Sequence, residues 1–256
     1  MKNTYAILKK ELKSYFMSPI AYIVIFVFSI ISGYFFSSIF AFFSIICARS
    51  INNTYLQTGL NITDGVVTPT ISTLSIIVLF IMPFLTMRLF AEEKKSGSFE
   101  LLLTFPLRDM EIILGKFVAC FITFIVMLIP TIFYQVIVFS IGNPELGPVI
   151  SGYLGIILLG ASFISVGILA STLTENQIIA AVVTFGVLLL FWIIRWGADY
   201  SGPILSEILI QISILEHYQE FAKGVINTHD ILFYLLFSFF FLFLTEKSLE
   251  SKKWRS

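Results

Sequence analysis

An all-α, polytopic membrane protein with six transmembrane helices is the fold class that this sequence predicts. Three observations carry it. The chain of 256 residues is 57% hydrophobic and only 12% charged, about half the roughly 25% charged share of soluble domains. A soluble fold of this size could not hide so much apolar surface. Six stretches are free of Asp, Glu, Lys and Arg: 14–48, 65–87, 117–144, 146–174, 176–194 and 231–245. Finally, the basic residues divide unevenly between the two sides that six crossings would define.

Taken in order, the first element is amphipathic. Tyr5, Leu8, Leu12, Tyr15 and Phe16 recur at helical spacing, and Lys9, Lys10, Glu11 and Lys13 gather opposite them. Such a helix lies in the membrane interface as an elbow, and Pro19 marks the turn into the first span. About 20 apolar residues cross the hydrocarbon core as a helix, which puts the spans at about 20–43, 66–87, 117–141, 149–173, 177–194 and 231–246. Together they form a single transmembrane domain over residues 1–256. The last span is short but nearly all Phe, Leu and Ile, and Glu246 and Lys247 can snorkel at its end. Within it, Phe240 and Phe241 are expected to face lipid. Between the fifth and sixth spans, Leu205, Ile208, Leu209, Ile212 and Leu215 form a second amphipathic stretch, resting on the outer interface or dipping into it. The first apolar run is too long for a signal-peptide h-region, so no cleaved leader is expected.

With the N-terminus inside, thirteen of the sixteen Lys and Arg residues fall on the inner face, and only Arg49, Arg195 and Lys223 fall outside. Acidic residues split nine to seven, so the bias belongs to the basic residues alone. Both termini are therefore expected in the cytoplasm.

Much chemistry is excluded. The zero formal net charge gives no footprint for nucleic acid. No span carries an ionisable Asp, Glu, Lys or Arg in its interior, which argues against a transporter powered by a coupling ion. No phosphate-binding G-x-x-x-x-G-K-[ST] loop occurs: Gly115-Lys116 is followed by Phe117. The chain is thus no enzyme and binds no cofactor of its own. Cys47 and Cys120 fall near opposite faces and stay unpaired. His217 and His229 stand too far apart for helical ligand spacing and have no Cys nearby, so no metal site is expected. Polar residues inside the spans are mild. Tyr134 and Gln135 follow Pro130, expected to kink the third span, and Ser162 and Ser165 lie in the fourth; these four could line a substrate path. Small residues recur in the fourth span as Ser151 and Gly155, Ala161 and Ser165, and Gly167 and Ser171, a spacing that lets helices approach closely.

The segment between Arg88 and Lys116 is different in kind, being charged, short and patterned. Ser96-Gly97-Ser98 breaks the helix arriving from the second span, and a serine there can cap the next one. Residues 99–104 form a short apolar helix, with Glu100 near its positive end. Pro106 ends it, and Asp109 can cap the helix rising into the third span. The result is a transverse helix held between two turns below the membrane.

The run MRLFAEEKKSGSFELLLTFPLRDMEIILGKF resembles the first cytoplasmic loop of ABC-2 type permeases. It follows the pattern E-E-K/R-x-x-G-[ST]-x-E-x-L-L, then P, then G-K, through Glu92, Glu93, Lys94, Gly97, Ser98, Glu100, Leu102, Leu103, Pro106, Gly115 and Lys116. KKELKSYFMSPIAYIVI also resembles the opening of these permeases, and ASTLTENQIIA and EHYQEFAKGVINTHD are similar to the branch that includes gliding-motility and nitrous-oxide-maturation permeases. The resemblance implies that this loop is a coupling helix docking into a groove on an ATPase, with Glu92, Glu93, Ser96, Gly97, Ser98, Phe99, Glu100, Leu101, Leu102 and Leu103 as the docking residues and Phe99 and Leu102 as apolar anchors. It implies a machine of two permeases, identical or homologous, and two ABC ATPase subunits that bind the ATP. Export across the bacterial inner membrane is then the expected function. The alternative is transmission of ATP-driven motion to an extracytoplasmic or membrane partner without solute transport.

Overall fold

The computed structural model describes residues 2–50, 61–99 and 107–253. Every regular element among them is a helix. Helix α1 (Lys2–Met17) turns at Ser18 into α2 (Pro19–Ser50). A short π-helical turn (Thr63–Val67) leads into α3 (Thr68–Thr86), and a bend at Met87 separates α3 from α4 (Arg88–Lys95). Then come α5 (Asp109–Ile141), α6 (Leu146–Leu173) and α7 (Gln177–Ala198). Two short helices, α8 (Pro203–Ile212) and α9 (Ile214–Ala222), precede α10 (Thr228–Lys253). Among the described residues, six helical stretches are long and apolar enough to cross a membrane, the second being the π-helical turn, α3 and α4 together. Most run beyond the apolar windows read from the sequence, because backbone hydrogen bonding continues into the wetter interface where charged side chains are tolerated. Neither Pro130 in α5 nor Pro83 in α3 ends its helix.

α6 is the axis of the bundle. It packs against α3, α5, α7, α9 and α10. The apolar windows of α3 and α6 are 78% and 72% buried, against 17% for α2 and 22% for α10. Outer helices thus offer their apolar sides to lipid while the inner pair carries the packing. Small residues make this possible. A Cβ on Gly167 would stand 2.1 Å from the Thr86 hydroxyl, and one on Gly155 would stand 2.7 Å from Phe221 Cβ. Ser171 completes the seam: its hydroxyl accepts from the backbone N–H groups of Phe90 and Ala91 at 2.8 and 3.0 Å and donates to the Met87 carbonyl. These are backbone groups that the bend at Met87 sets free, and in an apolar interior each would otherwise be costly.

The stretch expected as one amphipathic surface is two helices with different fates. The extended backbone of Ser213 divides them. No residue of α8 is buried, whereas α9 buries Ile214, His217, Tyr218 and Phe221 within the bundle. Tyr218 donates to the Ile71 carbonyl at 2.7 Å, Ser151 donates to the Phe221 carbonyl at 2.7 Å, and Tyr234 donates to the Ile214 carbonyl at 2.9 Å. Helix α9 therefore dips between α3, α6 and α10. Phe240 is exposed as expected, but Phe241 is only 7% exposed and packs on Phe191 and Phe237.

Candidate functional site

One end of the bundle gathers α1, α4, the start of α5 and the ends of α6 and α10. Thr172 donates to Ser248 there, and the Lys94 ammonium donates to the Thr172 carbonyl. The patterned loop leaves from this end. At the close of α4, Ser96 caps the helix and Gly97 adopts φ +72, a left-handed conformation that glycine takes without a steric penalty. The Ser96 and Ser98 hydroxyls turn back onto the Glu93 carbonyl at 3.1 and 3.3 Å. Ser98 and Phe99 begin a new helical turn; the rest of the predicted transverse helix, with Glu100, Leu101, Leu102 and Leu103, lies outside the described residues. On the far side of the loop Asp109 is the first residue of α5 rather than its cap, and the Arg108 N–H is received by the Glu111 carboxylate at 3.3 Å.

Beneath the loop lies a buried knot of charge. Lys116, in the second turn of α5, is only 1% exposed. Its ammonium reaches Glu11 on α1 at 2.9 Å, Glu93 on α4 at 2.9 Å and the Leu89 carbonyl at 2.6 Å. Of the three N–H donors of a lysine, one meets Glu11 and one the Leu89 carbonyl, while Glu93 Oε2 pairs with the ammonium by charge. Lys10 adds a second contact to Glu93 at 2.7 Å, so two ammoniums balance two carboxylates. Burial works against the Lys10 charge, yet its hydrogen bond to Glu93 and the charges of Glu93 and Glu11 outweigh it and hold Lys10 above the ordinary lysine value. The Tyr15 hydroxyl donates to the Leu85 carbonyl at 2.9 Å, and the Arg88 guanidinium lies 4.4 Å from the Tyr15 ring centre and donates to the Ser18 hydroxyl. Gly115 admits the crossing helix, since a Cβ there would stand 2.8 Å from Ile7. The Gly-Lys pair thus has one local purpose: glycine brings α1 close, and lysine fastens it.

The expected docking residues divide accordingly. Glu92, Ser96, Gly97 and Ser98 are exposed and free to meet a partner. Glu93 faces inward as a strut of the knot. Phe99 is 8% exposed, edge-on to Phe90 at 6.1 Å with Lys94 over its ring, so it anchors the loop to its own chain rather than presenting itself outward. Glu11, expected on the charged side of the elbow, is buried: the inward stripe is Ile7, Glu11 and Tyr15, and Tyr5 is exposed. A carboxylate between two apolar residues at i±4, with a lysine at the threshold of an apolar span, was the available signal.

The four polar residues considered as a path do not share one lining. The Tyr134 hydroxyl contacts Ser32 at 2.9 Å and donates to the Ser29 carbonyl, while its ring stacks on Phe36 of α2. Gln135 is buried beside Tyr153 along an apolar groove between α5 and α6. Ser162 contacts Ser238 and the Tyr234 carbonyl of α10, and Ser165 donates to the Ser162 carbonyl.

No curated protein matches the chain. A family model described as ABC-2 family transporter protein matches residues 50–215, well over half of the chain and inclusive of the loop and the Gly-Lys pair. Its six apolar helices make the chain a multi-pass membrane protein, and the family's membrane domain is not itself catalytic but works with an ABC ATPase and typically as a dimer. The chain belongs to the ABC-2 transporter family, as a permease subunit of an ABC transporter.

Proposed function

We propose that the chain is the exporting permease of a bacterial inner-membrane transporter, with its termini in the cytoplasm and the loop at 96–104 as the docking point for a separate ATPase. Two permeases, identical or homologous, and two ATPases form the machine, and the ATPases bind the ATP. The observation that carries this reading is the knot around Lys116. It ties the elbow, the base of the loop and the third span into one lever. A push on the loop then moves α1, α4 and α5 together instead of bending a flexible connector. A groove on the ATPase meets the exposed Glu92, Ser96 and Ser98 and, within the loop, Glu100 and the leucines.

Phe99 belongs to the lever, so Leu102 is the anchor to test. Truncating a buried interface anchor often costs about 2 kcal/mol or more, roughly thirtyfold in affinity. Leu102→Ala and Glu100→Lys should each leave the permease in the membrane but weaken co-purification of the ATPase and its stimulated turnover. Phe239→Ala with Phe240→Ala, on the exposed side of α10, should not. Full ATPase association in both loop variants would reduce the segment to a connector.

A second reading, transmission of motion to an extracytoplasmic or membrane partner without solute transport, is favoured by one observation. Tyr134, Ser162 and Ser165 each spend their hydroxyls on hydrogen bonds to helices of the same chain. ATP-dependent release of a co-purified membrane partner, with no solute accumulated in vesicles, would favour it over export.

A further inference from the structure

The end of the bundle opposite the termini holds a cluster that the linear spacing concealed. His217 lies on α9, and His229 and Asp230 lie in the first turn of α10. Sequence separation argued against a shared ligand site, yet the dip of α9 brings the three donors within 4.8 Å of one another. His217 is 4% exposed and its ring stacks on Phe233 at 4.0 Å. Its Nε2 stands 3.0 Å from the Gln211 carbonyl. A carbonyl only accepts, so Nε2 carries the proton, and this bond fixes both ring orientation and tautomer. Nδ1 then turns its lone pair to Asp230 Oδ1, 2.6 Å away. Two acceptors at that distance share a proton, and a metal ion that took its place would hold the same two atoms slightly further apart. Asp230 is 5% exposed, and its Oδ2 has no hydrogen-bond partner among the described residues. His229 adds Nδ1 at 3.7 Å from Oδ1 on a side chain that is 70% exposed and free to rotate inward.

We propose that His217 Nδ1, His229 Nδ1 and the Asp230 carboxylate form a site for one divalent ion of the zinc type, which staples the inserted α9 to the last span. Zinc takes imidazole and carboxylate ligands at about 2.0–2.2 Å, so its tetrahedral ligand atoms stand about 3.3 Å apart. The observed spacings of 2.6 and 3.7 Å bracket that value, so zinc would part the His217–Asp230 pair slightly and draw His229 inward. Two imidazoles select zinc, copper or nickel over magnesium and calcium. The carbonyl behind His217 is the outer-shell partner that metal-binding histidines commonly have. Three protein ligands leave a fourth position for water, and exposure of His229 leaves the site open for exchange. The fastened α9 lies against α3 and α6 through Tyr218 and Ser151, so occupancy would stiffen the end of the bundle where a substrate or partner is released or engaged.

The test uses the full chain in detergent, stripped of metal and of any histidine tag, titrated calorimetrically with zinc chloride and separately with magnesium chloride. One zinc per chain is expected, with no comparable magnesium binding, and zinc should raise the melting temperature by an amount that grows with the logarithm of its concentration above Kd. His229→Gln should weaken zinc binding at least tenfold, on the order of what loss of a metal-site partner costs, and abolish the zinc-dependent thermal shift. The metal-free melting temperature should not change, because the substituted side chain is exposed. Absence of zinc binding in the wild type overturns the proposal and leaves the cluster a proton-sharing strut. So does equal affinity in His229→Gln, or equal affinity for magnesium.

Discussion

At the scale of the residue, Lys116 shows how a charge can be both buried and useful. An unpaired ammonium in a dry interior costs several kcal/mol, and removing one partner of a buried pair typically costs about 3–5 kcal/mol because the remaining charge is stranded. Lys116→Met would leave two carboxylates, Glu11 and Glu93, with Lys10 alone to balance them, and should lower the melting temperature in detergent sharply. Lys10 is 59% exposed on its side chain, so Lys10→Ala should cost no more than about 1 kcal/mol. Glu11→Gln placed on Lys116→Met should recover part of the loss, since the two sites share one network. A Lys116→Met variant as stable as wild type would mean that the knot fastens nothing. The sequence displayed half of this arrangement. A lysine in the G-K pair at the start of a span is plain to read, but its partner on the elbow looked like one more charge on a solvated face. Glu11 is neighbour to Lys10 in the chain and to Lys116 only in space, and period alone does not say which side of a short helix turns inward.

At the scale of the element, the small residues of α6 do what their spacing suggested. Gly155 and Ser151 take up α9, and Gly167 and Ser171 take up the bend between α3 and α4. The steric argument is sharpest at Gly167, where an added methyl meets Thr86 Cβ at 2.4 Å, an atom fixed to its backbone and unable to swing aside. Overpacking a tight contact costs roughly 1–3 kcal/mol. Gly167→Ala should therefore lower thermal stability measurably, while Gly186→Ala, where nothing lies within 4 Å, should be neutral. Equal behaviour of the two would show that α6 and α3 slide apart without loss. Apolar runs made the spans legible because a helix must satisfy its own backbone in lipid. The dip of α9 was less legible. Amphipathicity over 204–230 is continuous in sequence, and only the extended Ser213 and the tyrosine anchors Tyr218 and Tyr234 tell a helix lying on a surface from one inserted into the bundle. For the same reason the meeting of His217 with His229 and Asp230 could not be read from spacing: a tight turn around Gly224, at φ +94, folds the two helices together.

At the scale of the whole molecule, the bundle is polar at its two ends in different ways, and orientation decides what each end can do. The end with α1, α4 and the last turns of α10 carries the lysine knot and the loop; the other carries α8, α9 and the histidine cluster. The excess of Lys and Arg around the first end is the physical reason to set it in the cytoplasm, because basic loops resist translocation. Single cysteines test this in a background with Cys47→Ser and Cys120→Ala. Ser96 and Ser251 are exposed at the first end, and Tyr200, 93% exposed, lies between α7 and α8 at the second. Ser213 would be a poor reporter, since it is fully buried where α8 gives way to α9. An impermeant thiol reagent added to intact cells should label Tyr200→Cys and leave Ser96→Cys and Ser251→Cys unlabelled until the membrane is opened. Labelling of Ser96→Cys in intact cells would invert the molecule. The loop would then face away from any cytoplasmic ATPase, and the knot around Lys116 would brace the wrong side of the membrane for an ATP-driven lever.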